Sequence, residues 1–154
     1  MQYFSLLNLF KFGGITMIEF KAFAEIKIGD EASYTKQITD DDIQMFAKVT
    51  GDVNPVHLDS EYAKKTIFKE KIAHGMISAG LISAVLGTKL PGPGTIYLSQ
   101  EIKFVAPVFI NDVLTAIVSV IEKDDIKRRL KLKTYVENQH GKVVSEGMAL
   151  VMVK

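Results

Sequence analysis

Two spacings of apolar residues divide the chain. After an opening strand they recur at helical intervals up to about residue 90, and from Thr95 onward they alternate with polar ones. The first helical segment is "ITDDDIQMFAKVTGD". Thr39 can cap it, Asp42 occupies the third helical position, and acids fill the first turn. Ile43, Phe46, Ala47 and Thr50 then fall on one side. Gly51 suits the left-handed residue after a helix end, so Asp52 should open a loop that Pro55 keeps from becoming helix. A short helix is predicted in "SEYAKKT". Met76 to Leu86 is apolar almost all round, with small Ser78, Ala79, Gly80, Ser83 and Ala84 among larger residues. Such a helix is expected to be buried, its small residues allowing close backbone approach. "LPGPG" ends it abruptly.

Beyond that break, "TIYLSQEIKF" puts Ile96, Leu98, Ile102 and Phe104 on one predicted face and Tyr97, Ser99, Glu101 and Lys103 on the other. "VLTAIVSVI", "RRLKLKTYVE" and "KVVSEGMALVMV" complete a run of strands, with "NQHG" as a turn before the last. Consecutive strands with short connections make an antiparallel sheet, and its apolar face needs a cover. The buried helix is the element of suitable length. The predicted class is α+β, an antiparallel sheet wrapped around one central buried helix.

Composition narrows the classes. The 154 residues amount to one domain, and 47% hydrophobic with 24% charged residues is ordinary for a globular chain. A net charge of +1 leaves no electrostatic footprint for nucleic acid. Cysteine is absent, which removes disulfides, cysteine nucleophiles and thiolate metal sites, and is compatible with the expected cytoplasmic location. The opening "MQYFSLLNLFKFGGITM" lacks the basic start and cleavage site of a signal peptide, and Lys11 interrupts a run too short to span a bilayer. Residues 1–16 are therefore expected to be an extension outside the domain, from a mis-called start or as a tail, with the domain proper at 17–154. No membrane partner is expected.

The stretch "TGDVNPVH" concentrates the chemistry. An aspartate and a neutral imidazole facing one water could remove its proton, and such acid–base groups contribute roughly 10²–10⁴ in rate. Asp52 and His57 are the candidate pair, Asn54 an amide able to orient a neighbour, and Pro55 a stiffener between them. Spacing alone favours the plainer alternative: Asp52 and Asn54 make Asx turns and His57 packs in a half-buried place. In "AHGM", Gly75 begins the buried helix, where unpaired N–H groups and the dipole favour an oxygen developing negative charge. His74 reads as a capping or core residue. Ser83 could reach a ligand in the same cleft or simply pack against the sheet. His140 reads as a solvated turn residue, and "IEKDDIKRR" at 121–129 as a solvated hairpin connection.

Taken together, "FAKVTGDVNPVHLDSEYA" (46–63) and "IAHGMISAGLISAVLG" (72–87) closely resemble the MaoC-like hydratases, the hot-dog-fold (R)-specific enoyl-CoA hydratases also called hydratase 2. The resemblance runs from about Ile26 to the C-terminus, through "LPGPGTIYLSQEIKFVAPVFINDVLTAIVSV". It implies that Asp52 and His57 activate the water added to C3 of a trans-2-enoyl thioester and supply the proton at C2. It implies further that Asn54 helps hold the histidine, that the Gly75 N–H meets the thioester carbonyl, and that Ser83 lies near the site. One departure is Lys71 in "FKEKIAHGM", where relatives commonly have proline, in a loop bordering the acyl pocket's entrance.

The resemblance also implies a homodimer, with further pairing of dimers left open, and no metal or prosthetic group, CoA being a carrier on the substrate. Three rivals fit less well. Hot-dog thioesterases often use an acid on or beside the central helix, and Met76 to Thr88 contains none. The 3-hydroxyacyl-ACP dehydratases of bacterial fatty-acid synthesis split histidine and acid between two segments. A non-catalytic acyl-CoA-binding module would be expected to lack Asp or His. An acyl carrier protein in place of CoA stays open.

Overall fold

Local signals start the fold. In a computed structural model, which describes residues 10–12, 15–18 and 21–153, Thr39 caps helix α1 (Asp40–Thr50) as its sequence predicts. Thr39 Oγ1 accepts from the Asp42 N–H at 3.2 Å, and Asp42 Oδ2 accepts from the Thr39 N–H at 2.9 Å. Gly51 ends the helix at φ +80° and donates its N–H to Ala47 O at 2.8 Å.

Pro55 behaves differently from expectation. It is the first residue of a short helix, α2 (Pro55–Leu58), followed by α3 (Ser60–Ala63). Proline lacks an N–H, but the first helical position has no intrahelical acceptor for one, so proline starts a helix there that it would break further in. The Asn54 side chain caps α2, accepting from the Val56 N–H at 3.3 Å.

Helix α4 (Gly75–Thr88) is the central helix. It packs against the sheet formed by β3 (Glu31–Gln37), β4 (Thr95–Phe104), β5 (Val113–Asp124), β6 (Arg129–Glu137) and β7 (Val143–Val153). The spatial order is β3-β5-β6-β7-β4, every neighbouring pair antiparallel. Leu81, Ile82, Val85 and Leu86 of α4 interdigitate with Leu114, Val118 and Val120 of β5, Leu130, Leu132 and Val136 of β6 and Val151 of β7. Each such buried aliphatic side chain stabilises the fold by roughly 1.5–3 kcal/mol. This is the predicted α+β architecture.

Two predicted faces need correction. α4 is not buried all round: Met76 is 53% exposed, and Gly80 and Ser83 share its open side. In β4 a register shift between Tyr97 and Ser99 inserts a bulge. An extra residue reverses which side chains face inward beyond it, so Tyr97 and Ile102 both pack on the core while Leu98 is exposed. The predicted grouping of Leu98 with Ile102 fails for that reason.

The 121–129 segment is a solvated hairpin connection at its tip, 125–128, as predicted, while its two ends belong to β5 and β6 and pack more closely. Lys123 Nζ and Arg128 Cζ lie 4.7 and 4.8 Å from the ring centre of buried Phe23, and Lys123 donates to Ile26 O at 3.0 Å. "NQHG" turns as predicted, with His140 exposed and Asn138 Oδ1 accepting from the N–H groups of His140 and Lys142. Near the start, β1 (Phe10–Phe12) and β2 (Ile15–Ile18) form a separate antiparallel pair. The expected boundary between residues 16 and 17 falls inside β2, and residues 1–9 and 13–14 of the expected extension lie outside the described residues. Among the described residues no helix is long and apolar enough to cross a membrane.

Candidate active site

Asp52 is aimed by the end of α1. The left-handed Gly51 turns the chain off the helix, and the Asp52 N–H donates to Thr50 Oγ1 at 3.2 Å, itself tied to Phe46 O at 2.7 Å. Its carboxylate is half exposed and accepts from the Asn54 N–H at 3.3 Å. The first consequence is a carboxylate on a braced turn, facing a cleft.

His57 arrives from the other side of the same loop, on α2, and is only 8% exposed. Its Nδ1 donates to the carbonyl oxygen of Ile72 at 2.8 Å. Ile72 returns the contact, its N–H donating to Val56 O at 3.4 Å, while Ala73 N–H bonds Val108 O at 2.8 Å. The segment before α4 is thereby tied to α2 on one side and to the β4–β5 connection on the other. Because a carbonyl can only accept, Nδ1 carries the proton and neutral His57 presents a bare Nε2. Burial holds the His57 pKa below its ordinary 6.5, with the nearby His74 acting in the same direction. The Ile72 bond and the Asp52 carboxylate oppose it.

Asp52, His57 and His74 each offer a carboxylate oxygen or ring nitrogen, all within 4.8 Å of one another. A water hydrogen-bonded to two groups at about 2.8 Å each holds them about 4.6 Å apart. A separation up to the 4.8 Å bound admits one shared water. It suits a metal less well. Nε2 of His74 donates to Asp52 O at 3.0 Å and Nδ1 of His57 to Ile72 O, while the two rings lie against each other with centres 3.9 Å apart and 32° between planes. Rings laid one on the other do not converge their free nitrogens on a common ion.

Two cavities meet here. One, of about 420 Å³, is bounded by Asp52, His57, Gly75, Ser78 and Phe104. The other, of about 610 Å³, runs along the open side of α4, past Met76, Ala79, Gly80 and Ser83, to Tyr97 of β4. Asp52 and Met76 belong to both. The predicted site residues therefore divide: Asp52, His57 and Gly75 gather at the first cavity, whereas Ser83 lines the second, beside Asp52 but not His57. Asn54 acts on the backbone of α2 through its cap, not on the imidazole.

The first turn of α4 is open to a ligand. His74, at its N-cap, makes no side-chain capping bond. A Cβ at Gly75 would lie 2.9 Å from Phe104 Cδ1, so only glycine leaves the ring its place. Phe104 has no sequence signal linking it to Gly75, 29 positions earlier; only the sheet brings it there. His74 carried a signal, a histidine directly before the helix; of its two readings the capping one fails and the core one holds, the residue being buried.

Comparison with known proteins agrees with this geometry. A profile of the MaoC like domain matches residues 23–142. The chain belongs to the MaoC-like family. It is 51% identical over 131 residues to an (R)-specific enoyl-CoA hydratase of Rhodospirillum rubrum, covering 85% of this chain and 90% of that one. It is 44% identical to a 3-hydroxybutyryl-CoA dehydratase of Methylorubrum extorquens, over 85% of this chain and 83% of that one. Among solved structures, an R-hydratase from Pseudomonas aeruginosa in its unliganded form superposes with a TM-score of 0.80 at 50% identity, covering 85% of this chain and 84% of that chain. The fold of this MaoC-like chain is thus the hot-dog fold that its sequence resembles. The Lys71 departure has a local account: Lys71 Nζ pairs with Asp40 Oδ1 at 2.5 Å, so the lysine turns toward α1 and is not among the residues lining either cavity.

Proposed function

We infer that the protein is an (R)-specific enoyl-CoA hydratase, a hydro-lyase that adds water reversibly and syn across the double bond of a trans-2-enoyl-CoA to give a (3R)-3-hydroxyacyl-CoA. The observation that carries the reading is that Asp52 and His57 bring polar atoms within 4.8 Å of each other on one cavity, beside a helix N-terminus whose N-cap side chain makes no capping bond. The names of the 51%- and 44%-identical relatives support the same reaction in its two directions.

The steps follow from the donors. The water rests between the Asp52 carboxylate and bare Nε2 of His57. The pair takes one of its protons as the oxygen bonds to C3, and electron density moves through C2 to the thioester oxygen. That oxygen accepts the Gly75 N–H, where the α4 dipole favours the enolate charge. The pair then returns a proton to C2 on the face from which the water came, so addition is syn. Asp52 and His57 are the catalytic residues of this proposal, Gly75 the oxyanion donor, Asn54 the holder of the α2 turn, and Ser83 a binding residue in the second cavity. No metal or prosthetic group takes part; CoA enters as the carrier of the acyl group.

A homodimer is part of the proposal. Among the described residues the outer edge of β4 is unpaired, and Leu98, Phe104 and Val105 are exposed beside it. So is a cytoplasmic location, where CoA thioesters are made and used.

The test is hydration of crotonyl-CoA, followed as loss of the conjugated enoyl-thioester absorbance, with the product's configuration determined. Formation of (3R)-3-hydroxybutyryl-CoA supports the reading. Inertness on crotonyl-CoA and on longer enoyl-CoAs, or a (3S) product, overturns it.

A further inference from the structure

His74 is a buried ionisable group at the site that this mechanism leaves unused. It is 3% exposed, sits at the N-cap of α4 without capping it, and keeps its Nδ1 buried with no hydrogen-bond partner among the described residues. A buried acceptor left unmade lowers stability, and an apolar ring would fill the same place without that cost. The imidazole is accounted for by what its other nitrogen does. Nε2 donates to the main-chain carbonyl of Asp52 at 3.0 Å, across 22 residues of sequence. The ring meanwhile lies against His57 at 3.9 Å and against Phe46, on α1, at 4.7 Å.

We propose that His74 is a positioning residue, whose Nε2–H fixes the Asp52 peptide and whose ring backs the His57 imidazole, so that carboxylate, base and the Gly75 N–H are referred to one point at the start of α4. The inference rests on the roles proposed above for Asp52 and His57. Three segments contribute to the reaction: the loop after α1, helix α2, and the first turn of α4. His74 is covalently joined to the third, hydrogen-bonded to the first and stacked on the second. A displacement of about 1 Å among reacting groups can cost about 10²-fold in rate, so such a tie, in a ring that also lines the first cavity, acts on catalysis through Asp52 and His57. Asp52 needs it most, because its own carboxylate is half exposed and, among the described residues, is held by one 3.3 Å bond from the Asn54 N–H, with His74 Nε2 itself 4.0 Å from Oδ2.

Two variants of the full-length protein separate the parts. His74→Phe keeps a ring against His57 and removes the donor; His74→Gln keeps an amide donor at similar reach and removes the ring. With crotonyl-CoA, His74→Phe is expected to lower kcat about 10–100-fold with KM changed less than about threefold. His74→Gln should recover at least about a tenfold part of that loss, while both melt cooperatively. A kcat within twofold of wild type in His74→Phe overturns the proposal, as does equal loss in both variants. An amide spectrum of 15N-labelled protein gives a reading that needs no turnover. The bond to the Asp52 carbonyl is felt by the Val53 amide across the same peptide, so that signal should shift in His74→Phe and stay near its wild-type place in His74→Gln. A Val53 signal indifferent to His74→Phe overturns the tie. If wild type proves inert on enoyl thioesters while Val53 responds as described, the functional reading fails and the structural tie stands.

Discussion

His57 gives its Nδ1 proton to the carbonyl oxygen of Ile72 over 2.8 Å, and that bond decides what the cleft receives from the imidazole. The donated proton fixes the tautomer, and Nε2 is left as the basic atom. Because burial lowers the His57 pKa below 6.5, the base stays free at neutral pH. In the hydration direction kcat/KM should therefore fall only as pH drops below 6.5. Folding is linked in the same window. The unfolded chain binds this proton at the ordinary value and the folded chain only at lower pH, so stability falls as pH is lowered through 6.5 toward the folded value. A pH profile of kcat/KM checks the first statement: a limb centred above 6.5, or one that persists in His57→Gln, contradicts it.

Gly75 makes a steric prediction. Alanine at the first position of a helix is intrinsically acceptable, but here its Cβ would stand 2.9–3.1 Å from three atoms of the Phe104 ring. Phe104 is half exposed, so the ring can yield into the first cavity and the fold should survive. Gly75→Ala is expected to keep a melting temperature close to wild type while kcat/KM falls about tenfold or more, short of the roughly 10²–10³ of losing an oxyanion donor outright, because alanine keeps the N–H and hinders only the approach to it. Unchanged kcat/KM would mean that the thioester does not approach this turn.

Lys71 stands where relatives commonly carry proline, and its 2.5 Å pair with Asp40 holds the loop that supplies Ile72 to the cleft. The lysine side chain is mostly covered and the aspartate is half exposed. Lys71→Ala is therefore expected to lower unfolding free energy by only about 0.5–1 kcal/mol, with hydration of crotonyl-CoA kept within about twofold. Denaturant melts and initial rates on one preparation decide it; a large loss of activity at unchanged stability would place Lys71 in the site after all.

What could be read in the sequence was local. Thr39, Asp42 and Gly51 announce the limits of α1 because capping bonds and a left-handed residue depend on neighbours a few positions away. Asp52 and His57 come together because five residues and a proline suffice to turn a chain. The bulge after Tyr97 could not be read, since parity in a strand is set by its partner: Tyr97 pairs with Val151 and Ser99 with Leu150, which leaves Leu98 over. Pro55 was misjudged because the same missing N–H that breaks a helix inside is harmless at its first residue. The open side of α4 escaped for a similar reason: Met76, Gly80 and Ser83 look like core by hydropathy, and only the shape of the sheet leaves them beside a cavity. His74 shows the same limit, its partner Asp52 O lying 22 residues away.

The central claim is that Asp52 and His57 act as one unit on one water, and kcat for crotonyl-CoA hydration in Asp52→Asn, His57→Ala and the double variant tests it most directly. Groups that share one step are strongly non-additive. Each single variant should fall by roughly 10²–10⁴, and the double variant should fall little further than the worse single. Losses that multiply in the double variant, or a single variant that keeps near wild-type kcat while folded, would contradict the account.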